Sequence, residues 1–285
     1  MVSGFNAGKM GIITTSIRIF SVTAGIPEIS LCNPLKIHYI ESMIGGKDNG
    51  IHQTGHKFDL QTGTIETIRQ SIQSLQDYLG AGDCANAVHP GAHRKRQDRK
   101  ALEWATQNKK QIIPEQEFLE KWRRDGKIRG GENRVCFEQD SDGLIWAIKM
   151  NELTYHQDDM AAFADRLIKS SEYFPDTTLE IIGMVTTPRG VKPLLLQAFV
   201  VTKPKVLAFP AQIRTALEER EFRLLDPDNE IWLSPDRAYY FSDPGQNNVL
   251  VDENGELAFI DVIFRKITPE QFQHDYPKLA ILIFS

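Results

Sequence analysis

The sequence predicts an α+β fold, in which antiparallel hairpins alternate with single helices. In the first hairpin, Arg134–Glu138 and Leu144–Met150 flank a turn at Ser141–Gly143. In the second, Asn248–Val251 and Leu257–Ile260 flank another glycine-containing turn. Apolar and β-branched segments separated by such turns are typical of hairpins. With 41% hydrophobic and 25% charged residues, the 285-residue chain has the composition of a protein that buries a core.

Helices are predicted where apolar residues recur every three or four positions. The remaining elements, in chain order, are short strands over 12–19 and 35–40, a helix over 64–79 that Gly80 ends, a helix that follows the basic run 93–100, a helix from Pro114 to Gly126, a helix over 158–173, strands over 179–186 and 193–201, a helix over 211–220, and short strands over 230–233 and 238–241.

Changes in composition divide the chain into three parts. Residues 1–92 form a separate α+β N-terminal region of unknown role, which ends in a glycine- and proline-containing stretch. Residues 93–128 are a basic helical connector, and the strand pattern that begins near Gly130 defines a domain over 129–285.

The overall composition excludes several classes of protein. A net charge of −5 gives no global attraction to nucleic acid or membrane. Cys32, Cys84 and Cys136 lie far apart, which argues against a disulfide framework or a cysteine zinc site. The moderately apolar segment 10–27 is interrupted by polar residues and is too short to span a bilayer. We therefore expect a cytoplasmic protein with no membrane partner.

Three polar residues near the second hairpin have the spacing of a metal and acceptor site. Asp243 and Asn248 are five positions apart, and Asp261 follows Asn248 by thirteen, after the apolar run Leu257–Ile260. The pattern resembles the catalytic loop and metal-binding aspartate of protein kinases and aminoglycoside-phosphotransferase-like kinases. In that interpretation Asp243 orients the acceptor hydroxyl, while Asn248 and Asp261 hold Mg²⁺ against nucleotide oxygens.

Upstream residues match the phosphate-binding half of the same kind of site. The strand Trp146-Ala147-Ile148-Lys149 resembles the strand whose lysine contacts the α- and β-phosphates of ATP. Gly130 and Gly131 precede Lys149 at the distance of a phosphate-covering turn. A lysine within an apolar strand requires a partner or a ligand, although it can also extend its charge to solvent. We expect Asp165 in the following helix to pair with Lys149, with Glu172 as the other candidate.

The motifs together resemble the kinase-like domains of polyvalent proteins, which occur in bacteriophages, conjugative elements and stand-alone bacterial proteins. The resemblance covers about residues 115–265. It is carried by Phe118-Leu119-x-x-Trp122, Arg129-Gly130-Gly131-Glu132-Asn133-x-Val135, Tyr173-Phe174-Pro175-Asp176-Thr177, Gln197-Ala198-Phe199-Val200 and the segment from Asp243 to Val262.

This resemblance implies a bilobal, protein-kinase-like fold with a reduced C-terminal lobe, because only 24 residues follow Asp261. It implies an ATP- and Mg²⁺-dependent phosphotransferase whose protein or small-molecule acceptor is left open. The backbone from Gln197 to Phe199 is the expected hinge that meets adenine.

Departures from the kinase pattern keep two alternatives open. Phe241-Ser242 precedes Asp243 where protein kinases carry His-Arg, Gly245 replaces a phosphate-supporting lysine, and Val262-Ile263 replaces Phe-Gly. A pseudokinase that binds nucleotide and acts by contact is one alternative. A transferase of AMP on the same fold is the other.

Other charged segments have simpler interpretations. The basic residues between 94 and 129 favour a solvated helical face, with an acidic or nucleic-acid partner as the functional alternative. Gly4–Met10 lacks the spacing and the hydroxyl of a phosphate loop. His52 and His56 lie among turn residues, which favours surface histidines over a metal site.

Overall fold

The computed structural model describes residues 63–80, 90–125, 127–130, 132–156, 159–202, 206–242, 244–245, 248–277 and 279–280. The described helices are α1 (Ile65–Leu79), α2 (Pro90–Gln107), α3 (Glu115–Arg124), α4 (Met160–Tyr173), α5 (Pro210–Glu219) and α6 (Pro269–Asp275). The described strands are β1 (Gln111–Pro114), β2 (Ile128–Gly130), β3 (Asn133–Gln139), β4 (Ile145–Asn151), β5 (Glu180–Thr187), β6 (Gly190–Ala198), β7 (Arg223–Asp226), β8 (Ile231–Leu233), β9 (Tyr239–Ser242), β10 (Val249–Val251), β11 (Leu257–Phe259) and β12 (Ile263–Lys266).

The larger sheet has six strands in the order β1-β5-β6-β4-β3-β2. β1 runs parallel to β5, and every other neighbouring pair in this sheet is antiparallel. The parallel pair depends on Gly183, because a Cβ atom there would lie 2.4 Å from the carbonyl oxygen of Gln111. A larger residue at this point would therefore push β1 away from the sheet.

One face of this sheet is covered by α1, α2 and α4. Thr64 begins α1 by accepting a hydrogen bond from Thr67 N, and Gly80 ends it at a φ of 84°. Asp159 begins α4 in the same way, through the amides of Ala161 and Ala162. The core of this layer includes Ile72, Leu75, Trp104, Phe163, Leu167 and Leu195. Burial of these apolar faces supplies the main driving force for this layer.

The opposite face of the sheet packs against α3. Phe118 is fully buried and belongs to a core with Ile148, Met150 and Leu194. Because side chains alternate along a strand, Ile148 and Met150 turn toward α3, while Ala147 and Lys149 turn to the other face of β4. This alternation sets the direction in which Lys149 leaves the sheet.

The C-terminal part combines a four-stranded sheet, in the order β12-β9-β8-β7, with the β10-β11 hairpin and two helices. Its core is aromatic: Phe174, at the end of α4, stacks on Phe259 with ring centroids 4.6 Å apart. Phe222, Phe241 and Phe264 complete the cluster. This core fixes α4 and the β10-β11 hairpin relative to each other.

The structure confirms the predicted helices over 64–79, 158–173 and 211–220 and both predicted hairpins, with small differences at their ends. It adds β1, β7, β12 and α6, which are short and lack a clear period in sequence. The predicted strands over 12–19 and 35–40, the glycine segment 4–10 and the two histidines lie outside the described residues.

Segments on the two sides of the predicted boundaries at 92/93 and 128/129 pack against each other in the described part of the chain. The segment 93–128 contributes β1 to the six-stranded sheet and α3 to its core, so it is part of the folded unit. Helix α1 of the predicted N-terminal region also packs into this unit. Among the described helices, none has both the length and the hydrophobicity needed to cross a membrane.

Candidate functional site

Lys149 lies in β4, between β3 and β6, and its side chain is only 1% exposed. Its Nζ donates to Oδ1 of Asp261 at 2.8 Å. A buried ammonium group requires an anion nearby, because removal from water without one is costly. Asp261 provides that anion in this structure, across 112 positions of sequence.

Asp261 follows the β10-β11 hairpin and adopts a left-handed backbone with φ of 53°. This conformation is unfavourable for most L-residues, and Asp and Asn are among the side chains that adopt it most readily. Its side chain is 20% exposed, and Oδ1 also has a longer contact of 3.4 Å with Nδ2 of Asn133. Asp261 is thus held by protein groups and still reached by solvent.

Asn248 lies across the hairpin from the residue that precedes Asp261. The amide of Ile260 donates to the carbonyl oxygen of Asn248 at 2.7 Å, which extends the pairing of β10 with β11 by one position. The Asn248 side chain is buried, with 6% of the residue exposed. The hairpin therefore brings Asn248 to the same end as Asp261, as the spacing predicted.

Two further predicted site residues, Gly131 and Asp243, lie outside the described residues. Their neighbours do show where the chain runs on either side. Gly130 pairs with Asn133 at the end of β2. Ser242, which precedes Asp243, pairs with Ile263, two positions after Asp261. The chain that leads to Asp243 thus runs beside the chain that leaves Asp261.

The predicted pairing of Asp165 with Lys149 is not what the structure shows. Asp165 accepts hydrogen bonds from Tyr239 Oη at 2.7 Å and from Gln76 Nε2 at 3.2 Å. Burial and this hydrogen bond to Asp165 raise the pKa of Tyr239. The other candidate, Glu172, pairs with Lys169 on the same helix. The partner of Lys149 is not an acid on α4 but Asp261, the aspartate that follows the β10-β11 hairpin.

The predicted hinge residues, Gln197 to Phe199, lie at the C-terminal end of β6 in the six-stranded sheet. Gln197 is buried, and its Nε2 donates to the carbonyl oxygen of Thr177 at 2.7 Å. The hydroxyl of Thr177 in turn donates to the carbonyl oxygen of Phe259 at 2.5 Å. The amide of Phe199 donates to Ile145 O at 3.1 Å, which commits that N–H group to the sheet. The Tyr173–Thr177 motif thus ties β6 to the hairpin that carries Asn248.

Two small apolar clusters meet where the chain leaves β6. One consists of Val135, Phe137 and Ala147, with Ile145 and Phe199 packed against it. The other consists of Leu250 and Ile260, with Val200 and Ala258 packed against it. Phe199 and Val200 are consecutive but belong to different clusters. The two clusters therefore approach the same point of the chain, one from the large sheet and one from the hairpin.

Sequence reasoning missed a buried ion pair beside Lys149. Arg166 on α4 donates from NH1 to Oε1 of Glu132 at 2.7 Å, and both side chains are below 5% exposed. Arg166 Nε also donates to the carbonyl oxygen of Val262 at 3.2 Å. A signal was present in sequence, since Glu132 belongs to the same family motif as Gly130-Gly131.

Much of the basic segment is used within the protein. Lys110 pairs with Glu180 at 3.2 Å and Lys121 with Glu138 at 3.2 Å. Lys100 donates to the carbonyl oxygen of Leu79 at 3.1 Å. These contacts give several of the basic residues a structural role. A partner for the segment 94–129 stays a prediction.

Residues 94–268 match the family described as serine/threonine/tyrosine kinase found in polyvalent proteins. The matched range is more than half of the chain, and the mixed α/β architecture is compatible with a kinase-like fold. The chain belongs to this kinase family of polyvalent proteins. It matches no curated protein and no solved structure at a significant level.

Proposed function

We propose that the chain is an ATP- and Mg²⁺-dependent phosphotransferase of bilobal kinase type. The observation that carries this proposal is the 2.8 Å ion pair between Lys149 and Asp261 beside the Asn248 hairpin. A lysine of the six-stranded sheet and an aspartate at the end of the β10-β11 hairpin meet, with the residue types and spacing of a kinase nucleotide site. Membership of the kinase family supports the same reaction class.

The chemistry of these side chains fits a magnesium-bound nucleotide. Asp261 offers carboxylate oxygens and Asn248 an amide oxygen, and Mg²⁺ prefers such ligands. Bound ATP with Mg²⁺ would supply the phosphoryl group and neutralise its charge. Lys149 would hold phosphate oxygens, a role that suits a cation buried away from water.

The remaining predicted residues have roles that follow from their positions. Gly130 and Gly131 would cover the phosphates through backbone amides, and Asp243 would orient the hydroxyl of the acceptor. The adenine ring would pack between two apolar clusters, that of Val135, Phe137 and Ala147 and that of Leu250 and Ile260. Because the Phe199 N–H group already donates to the carbonyl oxygen of Ile145, the adenine contacts would come from other backbone groups between Gln197 and Val200.

A pseudokinase is the second candidate, and the surroundings of Asp243 favour it. Phe241 occupies the aromatic core with no exposed surface, so the segment before Asp243 serves packing. Gly245 offers no cation to the γ-phosphate. The nucleotide and metal residues are thus better supported than the acceptor side of the site.

Transfer of label from ATP separates these functions. The parent protein should transfer ³²P from γ-labelled ATP to itself or to an added protein mixture, only with Mg²⁺, and Asp261→Asn should abolish the transfer. Glu253→Gln is the matched control, because it removes an exposed acid from the same hairpin. Transfer from α-label alone would indicate AMP transfer. Metal-dependent binding of ATP without transfer would indicate the pseudokinase.

A further inference from the structure

Glu132 and Arg166 form the centre of a buried polar network. Glu132 Oε1 accepts from Arg166 NH1 at 2.7 Å and from Asn151 Nδ2 at 2.9 Å. Glu132 Oε2 accepts from the amide of Tyr155 at 3.1 Å. Both oxygens of this carboxylate are thus engaged by protein donors, so Glu132 is placed to hold structure and not to bind a metal.

This network reaches both halves of the nucleotide site. Glu132 and Asn133 directly follow Gly130-Gly131, and Asn133 Oδ1 accepts from Asn151 Nδ2 at 2.9 Å. Asn133 Nδ2 contacts Asp261, and Arg166 Nε donates to the carbonyl oxygen of Val262. One guanidinium on α4 therefore contacts the residue that precedes β3 and the carbonyl of the residue that follows Asp261.

A buried ion pair is not explained by stability alone. Burial removes both charges from water, and a pair of well-packed apolar residues is often as stable or more stable. What the pair adds is a defined geometry, because the planar guanidinium fixes the directions of its hydrogen bonds. That geometry matters most at Asp261, whose left-handed backbone requires support from its neighbours.

We propose that the Glu132–Arg166 pair is a positioning device that couples the start of β3 to the Asp261 segment, so that α4 sets how the phosphate-covering turn stands relative to the metal-binding carboxylate. On α4 it is Arg166, and not the predicted acid Asp165, whose side chain reaches the segment after Asp261. Neither residue has a nucleotide-binding role in the proposed function. The inference rests on the proposed function for its meaning, but the coupling itself is measurable without nucleotide.

Hydrogen exchange is the test that does not depend on ligand. In Arg166→Met, loss of global stability should speed exchange throughout the chain, and the amides of residues 132–137 and 259–264 should both gain roughly tenfold beyond that general increase, as expected for loss of a typical coupling between two sites. The matched control is Lys110→Met, which breaks the Lys110–Glu180 pair in the same sheet away from Asp261. It should leave both segments unchanged. Extra acceleration in only one segment, or in neither once the increase across the rest of the chain is subtracted, would overturn the proposal.

Conservative variants separate positioning from simple structural support. Arg166→Lys keeps the charge but cannot span Glu132 and Val262 together, so it should keep most of the thermal stability and still lose protection at 259–264. Glu132→Gln should have the same pattern if Arg166→Met fails to fold. Full protection of 259–264 in both variants would contradict the coupling.

Measurement of ATP binding then tests whether the coupling between the two segments affects the proposed nucleotide site. The gain in ATP affinity on addition of Mg²⁺ should fall roughly tenfold in Arg166→Lys and stay unchanged in Lys110→Met. An unchanged gain in Arg166→Lys would overturn the positioning role. If the parent binds no nucleotide, the proposed function fails, while the exchange results still decide whether the two segments are coupled.

Discussion

Two ion pairs, Glu132–Arg166 and Lys149–Asp261, are linked by the side chains of Asn151 and Asn133, and they differ in how far their carboxylates are exposed. In the Glu132–Arg166 pair both side chains are almost fully buried, at 3% and 4% exposure, and other protein groups also donate to the acid. In the Lys149–Asp261 pair the lysine is buried but the acid is 20% exposed. The first pair is closed, and the second has an acid that a ligand can reach.

Because of this difference in exposure, we assign a structural role to the Glu132–Arg166 pair and a chemical role to the Lys149–Asp261 pair. A carboxylate that is enclosed by donors keeps its geometry, whereas one that is partly open can exchange an ammonium partner for a metal. On α4 the predicted acid, Asp165, contacts Tyr239 and Gln76, while the next residue, Arg166, contacts Glu132 and Val262. We infer that the closed pair positions the open one, and the following predictions test that comparison.

The largest loss of stability should follow Arg166→Met. This change leaves the Glu132 carboxylate buried without its cation, which typically costs about 3–5 kcal/mol. Urea denaturation should show this decrease in the free energy of unfolding, and Glu132→Gln combined with Arg166→Met should recover part of it. A loss below about 1 kcal/mol, the value of an exposed pair, would mean that the pair is not effectively buried.

The two halves of the open pair should respond unequally. Asp261→Asn leaves Lys149 as a buried cation without its acid and should cost about 3 kcal/mol. Lys149→Met removes that cation and leaves Asp261 partly hydrated, so it should cost only about 1 kcal/mol. Thermal unfolding of both variants provides the comparison. Equal losses would contradict the unequal burial of the two side chains.

Asp165→Asn should have a smaller effect, about 1 kcal/mol, through weaker hydrogen bonds with Tyr239 and Gln76. Binding of ATP and Mg²⁺ should not change, because Asp165 has no contact with Lys149 in this structure. Urea denaturation of this variant beside the parent measures the loss of stability, and calorimetric titration measures the binding of ATP and Mg²⁺. A large loss of nucleotide affinity would restore Asp165 to the site.

The smallest effect concerns Asp125, a buried acid that is not part of either pair. Burial raises its pKa above the usual 3.8, although Lys121 and the amide of Phe137 oppose this shift. The folded protein therefore binds the proton of the Asp125 carboxyl more tightly than the unfolded chain does. The stability that this proton contributes is lost as pH rises from 3.8 through the folded pKa. Asp125→Asn cannot titrate. Its Tm relative to the parent should rise with pH over this interval and then level off, and a flat difference would contradict the raised pKa.

Much of the fold follows from local signals in the sequence. The period of α1, its Thr64 and Gly80 ends, and both hairpins are encoded within a few residues of each element. The spacing from Asn248 to Asp261 also predicted that a hairpin returns the chain to its starting point. In contrast, β1 joins the sheet by parallel pairing with β5, about 70 positions away, and no local pattern encodes that contact.

The part of the site that could not be predicted depends on long-range geometry. Asp165 and Arg166 point about 100° apart on α4 and flank its apolar stripe on opposite sides. Only the positions of β3 and of the segment after Asp261 decide that Arg166 faces Glu132 while Asp165 faces Tyr239. The pairing of Lys149 with Asp261 likewise depends on how the six-stranded sheet and the β10-β11 hairpin pack together, which neither strand pattern nor spacing specifies.

Calorimetric titration of the parent protein with ATP, with and without Mg²⁺, most directly tests the central claim that Lys149, Asn248 and Asp261 form a nucleotide and metal site. We expect binding that Mg²⁺ strengthens at least about tenfold, a dependence that Asp261→Asn removes and Glu253→Gln preserves. Absence of ATP binding in the parent, or the same Mg²⁺ dependence in Asp261→Asn, would contradict the account.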